Sequence, residues 1–196
     1  MRPKDEQKEQ AVKQTALRMI VQEGFKGLSM QKLAKEAGVS PATIYIYYTD
    51  RNDLLHQLYL EVLDRTNRAA LEGFDPDMDF AQGMKVLWTN RFRYYLQHTD
   101  DFHFITQFIN SPLITHVLTR DIDFYKEAMQ AFYKKAVDRG EIPELPLAVY
   151  WPVAFAPLYQ LIHFSLRDTI HPAPEMAVTE DTLAQALSLV LKALMI

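Results

Sequence analysis

Five uncharged hydroxyl groups fall within ten residues near the start of the chain. They belong to Ser40, Thr43, Tyr45, Tyr47 and Thr49. A hydroxyl both donates and accepts a hydrogen bond, which suits the phosphate oxygens and the base edges of a nucleic acid. Basic side chains, which attract phosphates, flank this run on both sides: Lys26, Lys32, Lys35 and Arg51.

Other kinds of chemistry find little support in the sequence. The chain has no cysteine, which excludes disulfides, thiolate zinc sites and a cysteine nucleophile. None of the six histidines lies four residues from another, so no helical pair of metal ligands is present. Neither a nucleophile elbow nor a phosphate-cradling glycine loop occurs. We therefore predict a protein that is not an enzyme, with no catalytic residue, no metal and no cofactor.

Two short helices must position the hydroxyl groups. Ser29 and Ser40 stand where N-caps belong, and Pro41 takes the first helical position, where its missing N–H costs nothing. Gly38 lies between the helices and suits the positive φ of a tight turn. Thr43 and Tyr47 share one face of the second helix and are expected to project outward. The pattern predicts a helix-turn-helix, whose second helix enters the major groove of DNA.

The rest of the chain also favours helices, and we predict an all-α fold of about nine helices. No alternating strand pattern and no internal repeat is visible. The polar loop at residues 73–79 separates a small head from a larger body. We predict a helix-turn-helix domain over residues 1–50 and a helical ligand-binding and dimerisation domain over 51–196, linked by a helix over 51–72. Further helices are predicted over 5–23, 80–97, 100–108, 112–139, 147–167 and 182–195.

Three ordered motifs in this region resemble the DNA-binding head of the tetracycline-repressor (TetR) family. They are F-x-G-x-S at Phe25–Ser29, L-A-x-E-A-G-V-S at Leu33–Ser40 and T-I-Y-x-Y-Y-x-x-R-x-D-L-L at Thr43–Leu55. The remainder of the chain resembles that family only in being helical and of similar length. The resemblance implies a three-helix head on a helical body.

The resemblance also implies which residues contact DNA. Ser29, Met30 and Gln31 open the second helix beside the DNA backbone. The recognition-helix positions are Pro41, Ala42, Thr43, Tyr45 and Tyr47. Arg51 occupies the place of a phosphate clamp. Many members have a basic residue and then glycine where this chain has Pro41 and Ala42, so we expect a larger share of apolar contact, phosphate positioning and DNA shape in recognition.

A homodimer paired through the last two helices is a second implication of the resemblance. Residues 150–166 and 183–196 are apolar on more than one face. A helix of that kind packs against one partner in its own core and another outside it. One thick monomeric core remains the alternative interpretation.

A small-molecule site in the body is the third implication, because aromatic and polar residues recur there at helical spacing. Plain core packing is the alternative. We expect any ligand to be apolar or aromatic. The candidate residues are Trp88, Phe92, Tyr95, His98, Phe104, Gln107, Phe108, Tyr125, Trp151, Phe155, Tyr159 and His163.

Charge and hydropathy agree with an intracellular DNA-binding role. The net charge is +2 over residues 1–50 and −6 over residues 51–196, so an anionic partner is expected at the head. The N-terminus has no apolar signal segment, and prolines interrupt the apolar stretch 145–166, which predicts a cytoplasmic protein outside the membrane. We predict a dimeric repressor that binds a palindromic operator and is released by a small apolar or aromatic effector. The alternative is a helical adaptor with a vestigial head.

Overall fold

The structure is a computed structural model that describes residues 5–116, 123–166 and 178–196. Within these ranges the chain forms nine α-helices, one short 3₁₀ helix and no strand, which confirms the predicted all-α class. The helices are α1 (Glu6–Gly27), α2 (Met30–Glu36), α3 (Pro41–Tyr47), α4 (Arg51–Ala70), α5 (Phe80–Gln97), α6 (Thr99–Ile109), α7 (Asp123–Asp138), α8 (Leu147–Leu166) and α9 (Glu180–Leu194), with the 3₁₀ helix at Pro112–His116.

Two predicted helix boundaries were wrong. A single helix was expected over 112–139, but a 3₁₀ helix occupies Pro112–His116 and α7 begins at Asp123. Residues 117–122 and 167–177 lie outside the described ranges. The Ser111 side chain accepts a hydrogen bond from Leu113 N at 3.3 Å, which favours a tight turn over α geometry. Helix α1 also continues past residue 23 to Gly27, with a kink at Gly24, where φ is +70°.

The backbone packs as two compact units, which differ from the predicted split at residue 50. The first unit contains residues 1–65 and 100–121, and the second contains residues 66–99 and 122–196. The first unit therefore includes most of α4 and also α6. A division of function between residues 1–50 and 51–196 stays a prediction.

The first unit is held together by one apolar cluster that includes the two short helices. Leu33 of α2 and Ile44 of α3 are fully buried, as is Ile20 of α1. From α6, Phe108 stacks on Tyr59 of α4 with ring centroids 4.2 Å apart. Seven-residue helices are not stable alone in water, so this burial is what holds α2 and α3 in place.

Local capping fixes where the short helices begin. The Ser29 and Ser40 side chains accept hydrogen bonds from Lys32 N and Thr43 N, both at 3.2 Å. Gly38 turns the chain between the helices at a φ of +67°. A side chain at Gly38 would meet no neighbouring atom, so only the backbone conformation requires glycine there.

The core of the second unit is rich in aromatic rings. Phe132 of α7 stacks on Phe80 of α5 at 5.6 Å and meets the edge of Phe74 at 5.1 Å. Trp88 is fully buried, and its Nε1 donates a hydrogen bond to the carbonyl of Ala154 at 3.0 Å. This bond ties α5 to α8 and satisfies the indole N–H in an apolar interior.

Helix α8 is unusually apolar for its degree of burial. By length and composition it is the one helix of the described residues that could cross a membrane, although only 28% of its most apolar stretch is buried. It contains Pro152 and Pro157 and packs along α9. Its outward side therefore presents apolar surface to the solvent within one chain.

Gly83→Ala should destabilise the second unit. A Cβ at Gly83 would lie 2.4 Å from the buried ring of Phe132, which cannot move freely between Phe80 and Phe74. We expect a loss of about 1–3 kcal/mol from overpacking, partly offset by the higher helix propensity of alanine. Thermal unfolding checks this, with the exposed neighbour Gln82→Ala as the control. An unchanged midpoint in Gly83→Ala would contradict the close packing.

Candidate functional site

The outer face of α3 is apolar and hydroxyl-bearing, as the sequence predicted. Pro41 and Ala42 are exposed, and Tyr45 and Ile46 are 54% and 44% exposed. Thr43 is partly buried, and its hydroxyl lies 2.9 Å from that of Ser40. The face therefore offers apolar contact and neutral hydrogen bonds, with no cation among the exposed side chains of α3 itself.

Tyr47 does not project outward with Thr43, in contrast to the orientation expected from spacing. Its side chain is only 9% exposed. Its hydroxyl donates to the carbonyl of Asp5 and accepts from Asp5 N, both at 3.0 Å. Asp5 is the N-cap of α1, so Tyr47 ties the recognition helix to the start of the chain. A contact of Tyr47 with DNA stays a prediction.

The start of α2 presents part of the predicted backbone-contacting surface. Ser29 and Gln31 are exposed, whereas Met30 is 9% exposed and belongs to the core. Lys32 pairs with Glu23 of α1. The pairing reduces the positive charge available to a phosphate at this position.

Arg51 has a structural role in addition to the predicted phosphate contact. Its Nε donates to the carbonyl of Leu28 at 3.0 Å, and its Nη2 donates to the carbonyl of Phe25. These bonds satisfy backbone groups at the end of α1 and in the turn before α2. A guanidinium has five N–H donors, so the two bonds leave others for a phosphate.

The turn into α4 is fixed by two aspartates. Asp50 accepts from Asn52 N and Asp53 N at 2.7 and 2.9 Å, as an N-cap does. Asp53 accepts from Thr49 N and from the Thr49 hydroxyl, at 2.8 and 3.1 Å. Burial raises the pKa of the Asp53 carboxyl, but hydrogen bonds from Gln57 and Thr49 outweigh it and hold the pKa below its ordinary value.

The predicted ligand-binding residues divide between the two units. Phe104 and Phe108 are buried in the core of the first unit, where Phe25 packs on both rings. Gln107 lies beside them on α6 and is partly buried. The second unit contains the remaining residues: Trp88, Phe92, Tyr95, His98, Tyr125, Trp151, Phe155, Tyr159 and His163. His98 is exposed at the C-cap of α5.

One groove in the second unit lies between α5 and α9 and has a volume of about 670 Å³. Trp88 and Phe92 form its α5 wall, and Leu183, Leu187 and Leu191 form its α9 wall. Charged side chains stand among its lining: Lys85, Arg93, Glu180 and Asp181. Of the predicted ligand-binding residues only Trp88 and Phe92 line this groove.

A buried arginine occupies the adjacent face of α5. Arg91 is 3% exposed, and its guanidinium lies over the ring of Tyr125 at 5.0 Å. Its Nη1 donates to the hydroxyl of Tyr159 at 3.1 Å. No Asp or Glu of the described ranges lies within ion-pair distance of it. Three predicted residues, Tyr95, Tyr125 and Tyr159, contribute to the electrostatic environment of Arg91.

Several buried polar atoms of the second unit have no well-formed hydrogen bond: Arg91 Nε and the hydroxyl groups of Tyr125 and Tyr150. The Tyr125 hydroxyl interacts with the Arg91 guanidinium, and Tyr150 packs against Tyr133. Burial raises the pKa of Tyr125 and Tyr150, so their hydroxyls stay protonated at neutral pH. The sequence analysis missed Arg91. The available signal was its position, three residues after Trp88 and four before Tyr95, since this spacing places a cation on an apolar helix face.

Comparison with known proteins identifies the head independently of its geometry. Residues 14–58 match the model of the bacterial regulatory proteins of the tetR family. An 80-residue stretch is 36% identical to an HTH-type transcriptional regulator of Haemophilus influenzae, covering 41% of this chain and 42% of that protein. A 98-residue stretch is 30% identical to the HTH-type transcriptional regulator YuxN of Bacillus subtilis, covering 48% of this chain and 32% of that protein. The matches thus span less than half the length of these curated relatives.

One solved structure matches the chain over its whole length. It is the crystal structure of a TetR family transcription regulator from Marinobacter aquaeolei, with a TM-score of 0.82 and 28% identity over 100% of this chain and 99% of that one. The likeness extends through the helices beyond the head, where the sequence motifs end. Residues 14–58 therefore form a DNA-binding head of the tetR-family type, and the chain as a whole is similar to a TetR family transcription regulator.

Proposed function

We propose that this protein is a cytoplasmic transcriptional repressor that binds a palindromic DNA operator as a homodimer and is released by a small ligand. The observation that carries the proposal is the outer face of α3, where Tyr45 and Ile46 are exposed on a helix with a buried opposite face. A short helix held this way fits the major groove. The tetR-family match of the head and the similarity of the whole chain to a TetR family regulator support the same role.

DNA reading is expected to depend on neutral contacts. Tyr45 and Thr43 supply hydroxyl groups, and Ile46, Pro41 and Ala42 supply apolar surface for thymine methyl groups. The exposed Ser29 and Gln31 of the α2 end suit phosphate oxygens. Two such heads in a symmetric dimer bind half-sites whose centres are about 34–36 Å apart, which is one turn of the double helix.

The proposed dimer forms through α8 and α9. Leu147 and Val149 of α8 are 70% and 47% exposed, and Leu189 of α9 is 66% exposed. Such surface is costly in water and typical of an interface between copies. A partner that covers it also explains why so apolar a helix as α8 is little buried within one chain.

Ligand control follows from differential binding. The proposed dimer has one conformation whose heads fit the operator and another whose heads are misplaced. A ligand that binds the second unit more tightly in the misplaced conformation lowers operator affinity. The decrease cannot exceed the difference between the affinities of the ligand for the two conformations. The candidate ligand sites in the second unit are the α5–α9 groove and the surroundings of the buried Arg91.

The function is tested by selection from randomised duplexes with the purified, ligand-free protein near physiological salt. An enriched inverted repeat would support a dimeric sequence-specific regulator, and its half-site spacing would give the separation of the heads. A folded dimer that enriches no sequence would contradict the proposal in this form and favour the adaptor with a vestigial head.

Thr43→Ala should weaken specific binding more than non-specific binding. The change removes one hydroxyl at the recognition surface, and we expect roughly fivefold weaker binding to the selected operator, equivalent to about 1 kcal/mol. Titration of labelled operator and of a random duplex measures both affinities. The control is Thr115→Ala, another threonine of the first unit, whose hydroxyl donates to the local Pro112 carbonyl. Equal losses on both duplexes would count against base reading by Thr43.

Arg51→Met should affect both stability and salt dependence. Loss of the bonds to Phe25 and Leu28 is expected to lower the free energy of unfolding by about 1–3 kcal/mol. Loss of a phosphate contact should reduce the slope of log affinity against log salt by about 1.

Arg51→Lys separates the two roles, because it keeps the charge and loses the planar fork of donors. We expect this variant to lose stability and retain the salt slope. A salt slope that is unchanged in Arg51→Met would leave Arg51 with the structural role alone.

Leu189→Glu should separate the dimer, because the charge would be buried in the α8–α9 interface. The native protein is expected at twice the chain mass of 22.8 kDa and the variant at that mass itself. Light scattering coupled to size exclusion at low micromolar concentration measures both. Leu96→Glu, at a 40% exposed leucine of α5, is the control and should remain dimeric. A native particle of one chain mass would overturn the dimer.

A further inference from the structure

We propose that the Arg91 cluster of the second unit is a binding site for an organic carboxylate, which forms an ion pair with the buried guanidinium. The cluster is defined as Arg91, Tyr95, Tyr125, Tyr150 and Tyr159. This inference rests on the proposed ligand-responsive function and specifies the chemical class of the ligand and the residue that recognises it.

The first support is the absence of a counter-charge. Arg91 is 3% exposed, its Nη1 donates to the Tyr159 hydroxyl, and its guanidinium lies over the ring of Tyr125 and interacts with the hydroxyl of that residue. Buried cations in proteins are normally paired with an anion, since desolvation of an isolated charge costs several kcal/mol. Within the parts of the chain that the structure describes, no carboxylate occupies that place beside Arg91.

The second support is the set of incompletely bonded donors. Arg91 Nε and the hydroxyl groups of Tyr125 and Tyr150 are buried without a well-formed hydrogen bond, and the Tyr125 hydroxyl interacts with the Arg91 guanidinium. Nearly all buried polar groups in folded proteins have well-formed hydrogen bonds, so incompletely bonded donors beside a buried guanidinium favour an additional acceptor. A carboxylate has about four lone-pair sites, enough to accept from each of these donors that it reaches.

The planar fork of arginine favours a carboxylate over a neutral acceptor. Guanidinium and carboxylate form parallel, charge-assisted hydrogen bonds that are about twice as strong as neutral ones. The rings of Tyr95, Tyr125 and Tyr159 near the guanidinium suit an aromatic or aliphatic body on the same molecule. The ligand is therefore an aromatic or apolar compound that carries one carboxylate.

The cluster is separate from the α5–α9 groove. The groove uses the α5 face of Lys85, Trp88 and Phe92, whereas Arg91 is not among its lining residues. Arg93 does line the groove, two positions further along the same helix, and its side chain is 61% exposed and paired with Glu180. Arg91 and Arg93 are thus a buried and an exposed arginine on one helix, and form a matched pair for mutation.

The test uses the full-length protein without DNA, so that it is independent of operator binding. Phenylacetate and octanoate are the probes, with phenylacetamide and octan-1-ol as their neutral counterparts and sodium chloride at equal ionic strength as the anion control. The readouts are the thermal midpoint and the fluorescence of Trp88 and Trp151, both in the second unit. We expect a carboxylate to raise the midpoint and to bind more tightly than its neutral counterpart.

Arg91→Met and Arg93→Met assign the site. Arg91→Met should weaken carboxylate binding by about 30-fold or more, as expected on removal of one partner of a buried charge pair. Without ligand its thermal midpoint should equal or exceed that of the native protein, because an unpaired buried charge is removed. Arg93→Met should bind the carboxylate as the native protein does.

Four results would overturn the proposal. They are no carboxylate effect with either probe, equal binding of the neutral compounds, a full effect from chloride alone, and a marked fall in the thermal midpoint of unliganded Arg91→Met, which would make Arg91 a structural residue. Operator binding is then measured separately with the carboxylate present. A carboxylate that binds through Arg91 and leaves operator affinity unchanged would support this inference while contradicting the release step of the proposed function.

Discussion

The exposed face of α3, proposed here to read DNA, depends on burial of the inner face of the same helix. Seven residues form too few internal hydrogen bonds to hold a helix in water, so α3 exists as a helix because Ile44 and its neighbours pack in the core of the first unit. Tyr47 adds a reciprocal pair of hydrogen bonds to the backbone of Asp5, 42 residues earlier in the chain. Because one element supplies both the core contact and the exposed face, a change on the inner side of α3 displaces the outer side as well.

Two of the four cations near this surface, Lys32 and Arg51, are engaged within the protein. Lys32 pairs with Glu23, and Arg51 donates to two backbone carbonyls. Cation–phosphate contacts supply most of the non-specific affinity of DNA-binding proteins. In the proposed function, a head whose cations are partly engaged, and whose net charge is only +2 over residues 1–50, depends more on hydroxyl and apolar contacts. Hydroxyl and apolar contacts act only on the base edges that they touch, so they distinguish one DNA sequence from another.

The second unit combines a well-packed core with several incompletely satisfied polar groups. Rings such as Phe80 and Phe132 stack, and the Trp88 indole finds a carbonyl acceptor, so most of this core meets the usual rules of packing and hydrogen bonding. Arg91 Nε and the hydroxyls of Tyr125 and Tyr150 depart from those rules, and all three belong to the second unit. Departures of this kind concentrate at functional sites, where stability is lost in exchange for binding.

Sequence alone determined those features that depend on local chemistry. Capping by Ser29 and Ser40, the positive φ at Gly38 and the helical periodicity are properties of neighbouring residues, so the all-α class, the helix-turn-helix and most helix ends were predictable. Tertiary structure decided what depends on contacts distant in sequence. Spacing placed Tyr47 beside Thr43, but only the distant Asp5 backbone shows that its hydroxyl turns inward. Periodicity also joined Phe104 and Phe108 to the ligand-binding set, yet they pack in the first unit, and Arg91 became a candidate only once its burial among tyrosines was known. Periodicity states which residues share a face, and only the packing of other helices against that face decides what each residue meets.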